Sequence, residues 1–158
     1  MAPAASAPRV RKFLAVVDTT PECKLALRFA ARRAQHTQGR VTLLATAQPP
    51  DFQQWRGVEE IMEDEAHAEA EALIHAGAKL VNELSGLLPE LVILQGRVTD
   101  CVSQLLKADN DISILILAAG TGKAGPGPLV TMFATGAHAV PVTVVPGSLS
   151  EEAIDSIA

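Results

Sequence analysis

Ile112-Ser113-Ile114-Leu115-Ile116-Leu117-Ala118-Ala119 runs straight into Gly120-Thr121-Gly122-Lys123-Ala124-Gly125-Pro126-Gly127-Pro128. A short amphipathic piece follows, then Val140-Pro141-Val142-Thr143-Val144-Val145, closed by Pro146-Gly147. The two apolar runs lack the alternation of a half-buried strand. They predict strands covered on both faces, which means a parallel sheet between helix layers. Ligands of such sheets sit beyond the carboxyl ends of the strands, in the crevice where the strand order reverses. A glycine loop that leaves a central strand is therefore the first place to seek a site.

The same grammar extends towards the amino end. Phe13 to Val17 reads as a first strand that stops at Asp18. Thr19-Thr20-Pro21-Glu22 then predicts a helix start, with a hydroxyl cap, proline at the first helical position and an acid. This helix is expected to run to about His36, and Gln38-Gly39 ends it. Val41 to Thr46 is a second strand. Pro49-Pro50 and Asp51 to Gly57 form a loop with the single Trp, Trp55. A long helix is predicted from about Val58 to Leu84, with the stripe Met62, Ala66, Ala70, Leu73, Gly77, Val81, Leu84 facing inward. Its acids, Glu59 and Glu63 among them, read as a solvated face near a helix amino end rather than as metal ligands. Leu91 to Leu94 is a third strand. Gly96 turns the chain, Thr99 is a plausible cap, and Asp100 to Ala108 is a third helix. Ser148-Leu149-Ser150-Glu151 matches a capping box before a short, marginal helix to about Ile157. Strictly alternating strands and helices imply right-handed crossovers and a doubly wound α/β fold.

With 158 residues, 48% of them hydrophobic and 20% charged, the chain is long enough for one well-built domain. Three parts are expected: a disordered Ala/Pro/Ser-rich lead-in over 1–10, a folded domain over 11–147, and an extension over 148–158. Aromatics are 3%, so the core must be aliphatic. The net charge of −5 argues against a nucleic-acid partner. Cys23 and Cys101 lack the spacing of a zinc site or a disulfide framework, which points to a reducing, cytoplasmic setting. No apolar run reaches the roughly 18 residues of a membrane span, and the amino end does not read as a secretory signal.

The glycine loop admits several chemistries. Gly120-x-Gly122-x-x-Gly125 satisfies the dinucleotide fingerprint, but that fingerprint belongs after the first strand, where this chain has Asp18-Thr19-Thr20-Pro21. A P-loop fails as well: Leu117 stands where its first glycine should be and Ala124 replaces its hydroxyl. The loop's backbone N–H groups, with Lys123, could still converge on phosphate. Equally, the loop could be a tight connection, because Pro126 and Pro128 bring no donor. Asp18 could hold a ribose, a Mg²⁺ or an adenine-side group, or it could cap the first helix. Cys23 and Cys101 fall in first turns of helices, where a redox role competes with plain burial. His36, His67, His75 and His138 are too scattered to share a metal.

Taken together, Lys12 to Asp18 with the helix Pro21 to Ala34, Gly96-Arg97, Ile112 to Gly127 and Val140 to Val145 resemble the universal stress protein family. The likeness covers about Arg11 to Gly147. It implies a five-stranded sheet of order 3-2-1-4-5 and homodimers through the last strand, at Val142, Thr143, Val144 and Val145. That placement also suits an edge strand with unpaired backbone. The resemblance implies ATP or another adenine nucleotide between strands one and four, Mg²⁺ with it, and no established catalysis. Asp18 and Thr46 would form the base and ribose side, and Gly120, Gly122, Gly125 and Gly127 the phosphate side. The chain departs from the nucleotide-binding pattern in one respect. Gly122-x-x-Gly125 matches the opening of the phosphate loop, but its closing glycine-hydroxyl pair is missing: Thr135-Gly136 is reversed, and alignment from the last strand gives Pro128-Leu129. Thr131 holds no motif position. Two functions are therefore expected to compete: a nucleotide-binding regulator, and a dimeric protein-interaction module of the same fold that binds no nucleotide.

Overall fold

The computed structural model describes residues 9–48, 56–135 and 138–158. The lead-in Met1–Pro8, the loop with Trp55 and Gly136 lie outside the described residues, as does the side chain of Glu59. Among the described residues ten elements alternate: β1 (Lys12–Val16), α1 (Cys23–Thr37), β2 (Arg40–Ala47), α2 (Arg56–Ser85), β3 (Glu90–Gln95), α3 (Val98–Ala108), β4 (Ile112–Ala119), α4 (Pro128–Ala134), β5 (Val142–Pro146) and α5 (Glu151–Ile157). All strand pairs are parallel, and the sheet order is β3-β2-β1-β4-β5. The order reverses between β1 and β4, which opens a crevice at their carboxyl ends.

Strand alternation sends the apolar side chains into two separate layers. Phe13, Ala15 and Val17 join Val41, Leu43 and Ala45 under α1, α2 and α5, whereas Leu14, Val16, Leu44, Leu115 and Leu117 pack under α3 and α4. A strand that feeds both layers must be apolar at every position, and this is why the central runs show no polar alternation. The one polar residue inside the β4 run has its own explanation. The β1–β4 register slips between Lys12 and Phe13, and the Ser113 hydroxyl accepts a hydrogen bond from the Lys12 N–H at 3.2 Å. Lys12 also ties three segments at the amino end of the sheet. Its ammonium lies 2.9 Å from Glu90 and pairs with Asp109, whose carboxyl it holds below the usual carboxylate range.

Several sequence expectations need correction at element ends. The first helix starts at Cys23, not at Pro21, with Glu22 as a cap residue whose side chain makes no capping bond. The reason is local: Thr20 turns back and gives its N–H and hydroxyl to the Asp18 carboxylate, which points its side chain towards Asp18 and not towards the helix N–H groups. Thr99 likewise lies inside α3, where Arg97 is the cap residue. On α2, Ile74 is fully buried, while Leu73 is only half-buried. The last strand, expected to be covered on both faces, is instead an edge strand in which Val145 alone is buried and Val144 is exposed, because its outer side has no neighbouring strand among the described residues. The third strand lies at the other edge, as the order 3-2-1-4-5 implies.

The largest correction concerns the end of the chain. Ser150, not Ser148, caps α5, accepting a bond from the Ala153 N–H at 3.1 Å. This helix is not marginal: Ile154 and Ala158 are buried in the same layer as α1. Asp155 receives Arg28 Nε at 2.8 Å, Arg28 Nη2 at 2.6 Å and Arg32 Nε at 3.0 Å. Arg32 reaches on to the carbonyl of Leu84 at 2.6 Å, so α5, α1 and the end of α2 are joined by one network. The Arg28 hydrogen bond, with help from Arg32, lowers the Asp155 carboxyl to a pKa of about 2. A carboxyl lowered in the folded state stabilises only while it is ionised, so its contribution is present above about pH 4 and fades as pH falls towards 2. Amide exchange in α5 should accordingly be flat between pH 5 and 8, after correction for intrinsic rates, and rise between pH 4 and 2. Protection that persists unchanged to pH 2 would show that burial of Ile154 alone holds the helix.

Candidate functional site

The crevice at the switch point holds a cavity of about 170 Å³. Val16, Ala26, Ile116, Leu117 and Leu129 give it apolar walls, Asp18, Thr20 and Glu22 supply its polar side chains, and Pro126, Gly127 and Pro128 close one side. Among the described lining residues there is no Lys, Arg or His. Asp18 is exposed at the end of β1. One of its oxygens takes the Thr20 N–H at 2.9 Å and the Thr20 hydroxyl at 2.5 Å. This is an Asx-type turn and not a helix cap. The second Asp18 oxygen accepts no hydrogen bond among the described residues.

The glycine loop lies over the crevice, but much of its donor capacity is turned inward. Gly120 N–H donates to the Pro126 carbonyl at 3.0 Å, and Gly125 N–H donates to the Gly122 carbonyl at 3.1 Å. Pro126 and Pro128 have no N–H to offer. Gly125 and Gly127 adopt φ of 87° and 112°, a left-handed region that explains why glycine stands there. Of the four glycines expected to hold phosphate, only Gly127 lines the cavity. Thr46 is half-buried on β2 and is absent from the cavity wall. The register Val16–Leu44 nonetheless puts Thr46 and Asp18 each two residues beyond the same strand pair.

Sequence reasoning missed one functional candidate. Glu22 read only as an acid in a helix start, yet its carboxylate faces the base of the glycine loop. A Cβ added at Gly120 would lie 3.2 Å from Glu22 Oε1 and 3.0 Å from the Gly125 carbonyl. No spacing rule reports this contact, because it crosses from the β1 side of the crevice to the β4 side. Cys23, also on the wall, has a thiol pushed up to about 11, first by burial and further by the neighbouring Asp18 and Glu22 carboxylates. Burial also raises the Cys101 thiol. Both thiols are therefore protonated at neutral pH, which argues for the packing role and against a reactive thiolate. Among the described residues no three His, Cys, Asp or Glu side chains converge as metal ligands. No helix among the described residues is long and apolar enough to cross a membrane.

A second cavity, about 730 Å³, opens on the other side of the Asp18–Cys23 turn, between α1 and α2. Leu27, Leu73, Gly77 and Leu80 form its apolar floor. Asp18 and Thr20 border both cavities, so the turn after β1 is shared between them.

The sheet order, the open switch point and the glycine loop after β4 agree with one family model, the universal stress protein family, which matches residues 9–127. The chain belongs to the universal stress protein family. Solved universal stress proteins share the fold at low identity. UspA from Lactobacillus plantarum has a TM-score of 0.73 at 18% identity, over 88% of this chain and 99% of its own. The universal stress protein from Archaeoglobus fulgidus in complex with dAMP has a TM-score of 0.63 at 16% identity, over 86% and 97%. A family member from Arabidopsis thaliana with AMP bound has a TM-score of 0.56 at 15% identity, over 86% and 91%. No curated protein matches the chain. Adenine nucleotides thus occur in solved members of the family.

Proposed function

We propose that this universal stress protein is a non-enzymatic regulator that binds an adenine ligand in the crevice between β1 and β4. One observation carries the reading: an apolar slot at the switch point ends at a carboxylate with one oxygen unengaged. Val16, Ile116, Leu117 and Leu129 offer the flat apolar walls a purine needs, and the free Asp18 oxygen would accept from a ribose hydroxyl. The AMP and dAMP complexes of distant members are consistent with such a ligand. A volume of about 170 Å³ lies below the ~300 Å³ typical of ligand pockets, so the base would enter while the ribose stays at the mouth. Mg²⁺ would enter only with a phosphate. Binding would act by favouring one of two partner-binding states in the cytoplasm.

The assembly we propose is a homodimer through β5, the edge of the sheet. Val144 is exposed and Val142 and Thr143 are half-exposed, but the Val145 side chain is buried in its own core. Pairing would therefore use the β5 backbone and the outward Val144 face. A native mass spectrum of freshly purified protein should show a dimer, with adenine ligand retained or restored by added AMP. Monomer alone, together with no calorimetric binding of AMP or adenosine at millimolar levels, would overturn the reading. A second reading, a dimeric interaction module that takes no nucleotide, draws on the inward-turned loop donors and the absence of a lining cation. It is the one left standing if the dimer forms and no adenine ligand binds.

A further inference from the structure

We infer that Glu22 sets the charge of the ligand: its carboxylate at the root of the glycine loop makes the crevice select adenosine or an adenine monophosphate and reject di- and triphosphates. The inference rests on the crevice reading above. A phosphate chain directed from a ribose at Asp18 to the base of the loop after β4 would approach Gly120. Glu22 Oε1 stands there, 3.2 Å from where a Gly120 side chain would begin. The carboxylate forms no ion pair or hydrogen bond among the described residues. Asp18 adds a second negative charge on the same wall, and no cation among the described lining residues opposes the two.

The donors that could compensate are engaged or missing. Gly120 N–H and Gly125 N–H close the loop on itself, and two prolines follow. Lys123 is exposed at the loop tip and does not line the cavity. Like charges brought within a few ångströms in a partly enclosed site repel strongly, and each added phosphate increases the cost. Adenosine carries no charge and escapes it; a monophosphate can keep its single group at the mouth.

The test is calorimetric titration of the wild-type protein and Glu22→Gln with adenosine, AMP and ATP, first in EDTA and then with Mg²⁺. The wild-type protein should bind adenosine and AMP more tightly than ATP. Glu22→Gln should raise the affinity for ATP relative to adenosine on the order of tenfold. A thermal melt matching that of the wild-type protein shows that the variant is folded. Equal wild-type affinity for ATP and adenosine would overturn the inference while leaving the crevice reading intact. So would an unchanged ATP-to-adenosine ratio in Glu22→Gln, or Mg²⁺-dependent ATP binding that the variant loses, which would make the carboxylate a cation ligand. No binding of any of the three to either protein would overturn both the inference and the crevice reading.

Discussion

Ile154→Ala lowers the stability of the protein by about 2–5 kcal/mol, towards the upper end of that range. Ile154 is fully buried, and it sits in the layer that contains Ala26, Ala30, Ala31 and Ala34 of α1. Removing large aliphatic groups costs most where the neighbours cannot collapse into the gap. These alanines have no long side chain to swing into the gap. Arg28 and Arg32 hold α5 at a set distance through Asp155, which further limits relaxation. For a domain of this size the change corresponds to roughly 2–4 °C of melting temperature per kcal/mol. Denaturant unfolding should show a lower midpoint with an unchanged slope. A loss under about 1 kcal/mol would mean that α5 is an ornament on a fold complete without it, contrary to its burial.

Gly147→Ala should also destabilise, by about 1–3 kcal/mol, through a clash and not through a cavity. A Cβ built at Gly147 lies 2.2 Å from the Ala119 carbonyl oxygen and 3.1 Å from Thr121 Cγ2. The first neighbour is backbone at the end of β4, so it cannot rotate away. Either β5 peels at its carboxyl end or β4 shifts. A shift of Ala119 moves Gly120 and strains the Gly120–Pro126 closure of the loop. Ligand binding should therefore weaken together with stability. Gly122→Ala makes the matched control, because a Cβ there meets nothing within 4 Å and its φ is not left-handed. Thermal melts of the two variants separate the cases. Equal melting temperatures would show that the backbone after β5 at Gly147 can give way freely.

The accuracy of the sequence reading varied with the range of the interactions involved. The β4 run, the glycine loop and the β5 run were legible within a residue or two: β4 because a strand feeding two core layers carries few polar positions, β5 because Pro141 and Pro146-Gly147 bracket a short β-branched run. The helix starts were less legible. Thr20 carries a good capping side chain, but Asp18 captured its hydroxyl first, and two local hydrogen-bonding options cannot be ranked from residue types. Ser150 won over Ser148 for a similar reason: the docking of Ile154 chose the phase of the helix. The buried state of Val145 was hidden as well, since an edge strand still has one face under α1 and α5.

What the amino-acid sequence determined by itself was the layered α/β class, the alternation of elements and the identity of the switch-point loop. Periodicity and burial are properties of neighbours along the chain. Tertiary structure alone decided which acid guards the loop, that the loop spends its donors on itself, and that α5 is clamped by Arg28 and Arg32. Each of these depends on groups brought together across the sheet or between helices, such as Glu22 with Gly120 or Arg28 with Asp155, 127 residues apart. Local pattern carries no information about partners that distant; only the packed fold puts them within reach.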